Sequence, residues 1–148
     1  MNNTRFAISM HILTLLATSK QPWVSSQYLA GSINVDPAAV RRELANLQKH
    51  RIVKSKAGKY GGSRLARPAN DISLAEVYRA VRPSPILGRR HEDPNPRCPV
   101  GNQINDQLEC LYREAETAFE KKLRGQSLSD FCNRFNGLEI NDPLEQSV

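Results

Sequence analysis

Residues 52–68 read Ile52-Val53-Lys54-Ser55-Lys56-Ala57-Gly58-Lys59-Tyr60-Gly61-Gly62-Ser63-Arg64-Leu65-Ala66-Arg67-Pro68. Ile52 to Ser55 has the composition of a strand, and Ala57 to Gly62 that of a glycine-rich tip. Ser63 to Arg67 is a returning strand, which Pro68 stops. The segment is a predicted β-hairpin carrying Lys54, Lys56, Lys59, Arg64 and Arg67. Long cationic side chains on a projecting hairpin suit contacts with phosphates or the minor groove. A phosphate-binding nest is the competing reading of the glycines. It is disfavoured, because the stretch lacks both the GxxxxGK[ST] spacing and the following helix of a nucleotide loop.

Working outward toward the N-terminus, Asp36 is a good N-cap and Pro37 suits the first position of a helix running to His50. Val40, Leu44 and Leu47 form one apolar stripe on that helix, while Arg41, Arg42, Asn46 and Gln48 fall largely elsewhere on the cylinder. Before it, Ser25-Ser26 caps a short helix through Tyr28, Leu29 and Ala30, with Gly31 as the expected stop. Arg5 to Thr18 forms a further helix, apolar around much of its circumference and so buried on more than one side. Two short helices joined by a tight turn are a helix-turn-helix arrangement, whose second helix enters a major groove about 12 Å wide. Taken alone, this pattern also fits an ordinary helical core with a charged rim. A basic hairpin directly after it is a wing, and that favours the nucleic-acid reading.

Toward the C-terminus, Ser73 and Glu76 form a capping box ahead of Leu74, Val77, Tyr78 and Val81. Prolines then crowd residues 82–99, which excludes a continuous helix. A long helix is expected from Val100 to about Leu123, with Ile104, Leu108, Leu111, Ala115, Ala118 and Leu123 at helical spacing and Tyr112 and Phe119 beside them. Such a helix spans about 35 Å, more than a small domain needs to cover its core. Ile104, Leu108, Leu111, Ala115 and Phe119 are therefore expected to pack on a second copy of the chain; folding back on its own domain is the other reading. Gly125 ends the helix, and Ser127 caps a short one containing Leu128 and Phe131. The fold class is mainly α with a β-hairpin. The expected plan is a winged helix-turn-helix domain over 1–82, a proline-rich loop and candidate sensor region over 83–99, a dimerisation helix and short terminal helix over 100–136, and a flexible tail over 137–148.

Composition agrees with one compact domain: 148 residues, 39 % hydrophobic and 24 % charged. The net charge of +6 conceals an asymmetry. Residues 1–90 carry 15 Lys/Arg against 4 Asp/Glu, and residues 91–148 carry 6 against 11. A basic first part joined to an acidic second part suggests a polyanion-binding module and a portion kept off the polyanion. No apolar run approaches the roughly 20 residues that span a bilayer, and the first residues lack the basic start of a signal peptide. Cys98, Cys110 and Cys132 are an odd number in a chain apolar enough to fold without staples, so a reducing cytoplasm is the expected compartment.

The stretch from Lys56 to Pro68, followed by Asp71-Ile72-Ser73-Leu74-Ala75-Glu76-Val77, resembles the Rrf2 family of bacterial winged helix-turn-helix transcription regulators. It is similar to that family's glycine-rich wing, G-x-x-G-G-x-x-L-A, and to the I-S-L-x-x-V helix start behind it. Arg5-Phe6-Ala7, Val40-Arg41-Arg42 with Leu47, and Leu128-Ser129-Asp130-Phe131 support the likeness, which spans residues 4–133. The resemblance implies a homodimer crossed by the long helix, binding double-stranded DNA at two half-sites of a pseudopalindromic promoter element. It implies a repressor, controlled by a small effector or by thiol oxidation.

Geometry and resemblance together nominate Arg41 and Arg42 for base edges or flanking phosphates. Ser25, Ser26 and Gln27 are nominated for phosphates, with Tyr60 and Arg64 as wing contacts and Lys54, Lys56 and Lys59 as sources of phosphate affinity. The iron–sulfur members of the family place three cysteines in the loop before the long helix. Here that loop has Cys98 alone, and Gly101 stands where a histidine ligand can sit. His91 and Cys98, with prolines between them, do not make a metal site, so no metal and no cofactor are expected. Cys98 lies beside Arg97 near an expected helix start, where a thiolate is favoured, and is the candidate redox sensor. Cys110 and Cys132 are expected in the core.

No enzymatic activity is expected. His11, His50 and His91 have no carboxylate or cysteine partner at catalytic spacing. The remaining alternatives are a winged-helix protein that binds RNA or DNA without sequence preference, and a dimeric interaction scaffold.

Overall fold

A computed structural model describes residues 4–82 and 85–141. Helix α1 (Arg5–Thr18) runs through the centre of the molecule. Ser9, Met10, Ile12, Leu13, Thr14, Leu16 and Ala17 are all buried on it, so it has no fully solvated face over its last three turns. Helix α2 (Ser26–Ile33) and helix α3 (Pro37–Lys49) follow and pack on each other and on α1. The Asp36 carboxylate accepts the Ala38 N–H at 2.7 Å, and Pro37 opens α3, as those residue types predict.

Gly31 does not stop α2. The helix continues to Ile33 and ends at Asn34, whose φ of +63° is left-handed and whose N–H donates to the Ala30 carbonyl. Asn tolerates that conformation through its short polar side chain. Gly31 is accommodated within the helix at a propensity cost of about 1 kcal/mol.

Strands β1 (Val53–Lys56) and β2 (Gly62–Leu65) form the antiparallel hairpin, in register Val53 with Leu65 and Lys54 with Arg64. Val24 pairs with Ser63 by two backbone hydrogen bonds of 2.9 and 2.8 Å, adding a one-residue third strand beside the tip-side half of β2. Gly62 is required there: at φ +149°, a Cβ would lie 2.5 Å from the Val24 carbonyl oxygen.

Helix α4 (Leu74–Val81) begins with the capping box of Ser73 and Glu76. The irregular segment behind it includes residues 83 and 84, which lie outside the described part. Helix α5 (Ile104–Arg124) starts four residues later than the sequence suggests. Residues 98–103 are successive turns instead, and Gly101 passes so close to Asn95 that a Cβ would sit 2.2 Å from its carbonyl oxygen.

Helix α6 (Leu128–Cys132) returns to the core. Leu74 N–H donates to Gln126 and Leu128 N–H to Ile72, and Leu128 and Cys132 are buried with the residues of α1. Cys110, expected in the core, is exposed on α5. Part of the expected tail is also tied down: Ile140 packs on the core, and Asn141 bonds the carbonyls of Ala17, Thr18 and Ser19.

Candidate nucleic-acid interface

The turn between α2 and α3, the cap at each helix start and the hairpin register together bring three elements around one cleft of about 460 Å³. Ser25 and Ser26 line it from the start of α2, Arg41 and Gln48 from α3, and Lys56 and Lys59 from the wing. Arg41, Arg42, Gln48, Lys54, Lys56 and Lys59 are exposed, while Val40, Leu44 and Leu47 hold the opposite face of α3 in the core. The apolar stripe predicted for α3 is therefore the buried one.

The nominated residues do not all reach the cleft. Lys54 and Arg64 face each other across the hairpin on its outer side. Tyr60 stands at the tip, 80 % exposed, with the Lys59 ammonium 5.7 Å from its ring centroid. Gln27 and Arg42 are exposed but lie outside the cleft lining. The Ser25 hydroxyl oxygen accepts the Tyr28 N–H at 3.1 Å, so it caps α2, and its proton can still be donated.

Asn46 departs from the expected outward direction. Its amide donates to the Ala80 carbonyl at 2.7 Å and ties α3 to α4. Two features escaped sequence reasoning. Glu43 is buried on α3, where its carboxylate accepts bonds from Arg5 at 2.8 and 3.4 Å and from the Ser9 hydroxyl. Trp23 lies against the wing, 4.5 Å from the Arg64 guanidinium and 5.8 Å from the Lys56 ammonium, measured to the ring centroid. The apolar pair Trp23-Val24 after Pro22 was the available signal for the latter; a lone Glu on a helix offers none.

Ion pairs engage some of the cations and leave others uncompensated. Arg67, Arg82, Arg90 and Arg124 form ion pairs with Glu76, Glu116, Glu109 and Glu120, and Arg5 pairs with Glu43. Among the described residues, no ion pair engages Arg41, Arg42, Lys54, Lys56, Lys59 or Arg64. With Lys49, also without an ion pair, they leave seven uncompensated positive charges on α3 and the hairpin, a surface suited to a polyanion.

Away from this face, Cys98 is half-buried in the loop before α5. Backbone N–H groups of Gly101 and Val100 point at its sulfur and hold its pKa below the ordinary thiol value. Burial raises the Cys132 thiol instead.

The family model of Rrf2, described as iron-dependent transcriptional regulators, matches residues 2–134. The donors present do not suit a metal cluster. The three cysteines lie on three separate segments, a loop, an exposed helix face and a buried helix, and among the described residues no three His, Cys, Asp or Glu side chains converge as ligands.

YwnA of Bacillus subtilis, named by inference as an HTH-type transcriptional regulator, is 42 % identical over 90 % of this chain and 98 % of its own length. A crystal structure of a protein inferred to bind DNA is 36 % identical, with a TM-score of 0.69, over 86 % of this chain and 97 % of that one. CymR, the global cysteine regulator of B. subtilis, shares the fold at 20 % identity, with a TM-score of 0.68 over 92 % of this chain and 98 % of its own. From the wing glycines to the closing helix, this chain belongs to the Rrf2 family of transcriptional regulators.

Proposed function

We propose that this protein is a homodimeric regulator that binds double-stranded DNA sequence-specifically and represses transcription from a pseudopalindromic promoter element. The observation that carries the reading is the cluster of uncompensated cations on α3 and the wing, Arg41, Arg42, Lys54, Lys56, Lys59 and Arg64 among them. Arg41 and Arg42 sit in the first two turns of α3, the part of a recognition helix that reaches base edges. Lys54, Lys56, Lys59, Tyr60 and Arg64 on the wing, with Ser25, Ser26 and Gln27 at the start of α2, take the flanking phosphates.

Dimerisation is supported by α5, which is 21 residues long with none of them buried. Leu111 is 51 % exposed, Ile104, Leu108 and Ala115 are only partly covered, and Phe119, which rests on Tyr78 of its own chain's α4, is still 39 % exposed. Two copies paired along this helix would present two recognition helices to the two half-sites of a pseudopalindrome.

Selection of genomic fragments by the purified protein at two salt concentrations tests the reading. One recurrent pseudopalindrome is expected, lost when Arg41 and Arg42 become Ala. Binding that is weak, sequence-indifferent and steeply salt-dependent would replace it with a non-specific role.

Control through Cys98 rests on the backbone N–H groups that stabilise its thiolate. Peroxide or diamide should change the affinity of the wild type for the selected site and leave Cys98→Ser unaffected. Equal responses would remove Cys98 as a sensor and leave a small effector as the means of control.

A further inference from the structure

The Trp23 side chain lies on none of the helices of the helix-turn-helix, yet it meets the two wing cations. Val24, the next residue, is buried and hydrogen-bonded on both sides to Ser63, which fixes the backbone of this segment against β2. Gly62 allows that approach because it has no Cβ to strike Val24. The hairpin register places Lys54, Lys56 and Arg64 on its exposed side, while Val53, Ser63 and Leu65 face the core. The indole of Trp23 is held at the edge of that exposed side. Its centroid lies 4.5 Å from the Arg64 guanidinium carbon and 5.8 Å from the Lys56 nitrogen.

An Arg side chain on a two-stranded hairpin otherwise samples many rotamers, and all of that freedom is lost on contact with DNA. A guanidinium resting on an indole face keeps its N–H edges directed outward while its plane is held, because stacking uses the faces and leaves the donors in the plane.

We propose that Trp23 is a positioning residue of the DNA interface, whose ring holds Arg64 and Lys56 in a binding-ready arrangement on the wing's outer side. Trp23 acts through these two cations, so removing them removes its contribution. This inference rests on the duplex-binding function proposed above and adds to it a residue outside the helix-turn-helix and the hairpin.

The test is a double-mutant cycle on full-length protein, read as affinity for a duplex carrying the selected site. Trp23 also lines an open apolar groove along α1, so Trp23→Leu keeps an apolar wall while removing the aromatic face. Trp23→Leu should weaken binding roughly fivefold, and Trp23→Phe about twofold. In the Arg64→Ala, Lys56→Ala background, Trp23→Leu should change affinity by less than about twofold.

Trp23 is the only tryptophan in the chain, so its emission reports the stack directly. Acrylamide should quench it more strongly in Arg64→Ala than in the wild type, a measurement that stands even if Trp23→Leu does not fold. Equal quenching, equal effects of Leu and Phe, or the same Trp23→Leu penalty in both backgrounds would each overturn the proposal. Wild-type protein that binds no duplex would overturn the DNA reading along with it; Trp23→Leu binding like the wild type would overturn this proposal alone.

Discussion

Glu76 has two tasks. Its carboxylate accepts the Ser73 N–H at 2.9 Å to close the capping box, and it pairs with Arg67 at 2.8 Å. The Arg67 hydrogen bond, opposed by burial and assisted by Ser73, holds its pKa below the ordinary carboxylate value. Because folding lowers this pKa, its contribution to stability is complete at neutral pH and is lost as pH falls through and below the usual carboxylate range. The pair is about one-third exposed on each side, so its share is small, about 0.5–1 kcal/mol. Arg67→Ala should lower the urea midpoint at neutral pH, with the difference from wild type shrinking at about pH 3. A difference that is constant with pH would assign the loss to packing.

Two glycines make opposite demands. Gly62→Ala would drive a Cβ into the Val24 backbone at a left-handed φ, and should cost roughly 2 kcal/mol or more. Its effect should exceed the local strain, because separating Val24 from Ser63 also releases Trp23 from the wing. Gly31 lies within α2 with nothing within 4 Å of an added Cβ, so Gly31→Ala should stabilise the protein by up to about 1 kcal/mol. Thermal melts of the two variants should therefore shift in opposite directions. The recognition helix is likewise held from two sides. Arg5 pairs with Glu43 from α1, and Asn46 bonds Ala80 of α4, so α3 is fixed while Arg41 and Arg42 remain exposed.

Charge is divided across the molecule along the same lines as the elements. Glu109, Glu116 and Glu120 of α5 face Arg90 and Arg82 of the preceding segment, which satisfies acidic residues at a distance from the wing. Tyr78 of α4 packs at a tilt against Phe119 of α5 with centroids 4.9 Å apart, and burial together with the nearby Glu116 raises its phenol pKa. That contact joins α5 to the winged domain and leaves Leu111 exposed. If the proposed dimer forms along α5, Leu111→Glu should leave the fold intact and convert that dimer to a monomer in analytical ultracentrifugation, with a loss of affinity for a two-half-site duplex. A sedimentation coefficient unchanged by the substitution would move the dimer contact away from Leu111.

The wing, the four helix starts at Ser25, Asp36, Ser73 and Ser127, and the uneven distribution of charge were legible from the chain without any coordinates. Each depends on residues within a few positions of one another: a capping oxygen meets an N–H two or three residues on, and a hairpin folds across its own turn. The clustering of cations on α3 and the hairpin was legible for the same reason, since they lie on two adjacent local elements. Tertiary packing decided the rest. Glu43 is paired with a residue 38 positions away, Asn46 with one 34 positions away, and Asn141 with Thr18 across 123. Trp23 joins the wing only because Val24 pairs with Ser63, and Leu128 joins the core only because α6 folds back onto α1. Such contacts depend on which faces of separate helices meet, and hydrophobic periodicity specifies that a face is buried without naming what buries it.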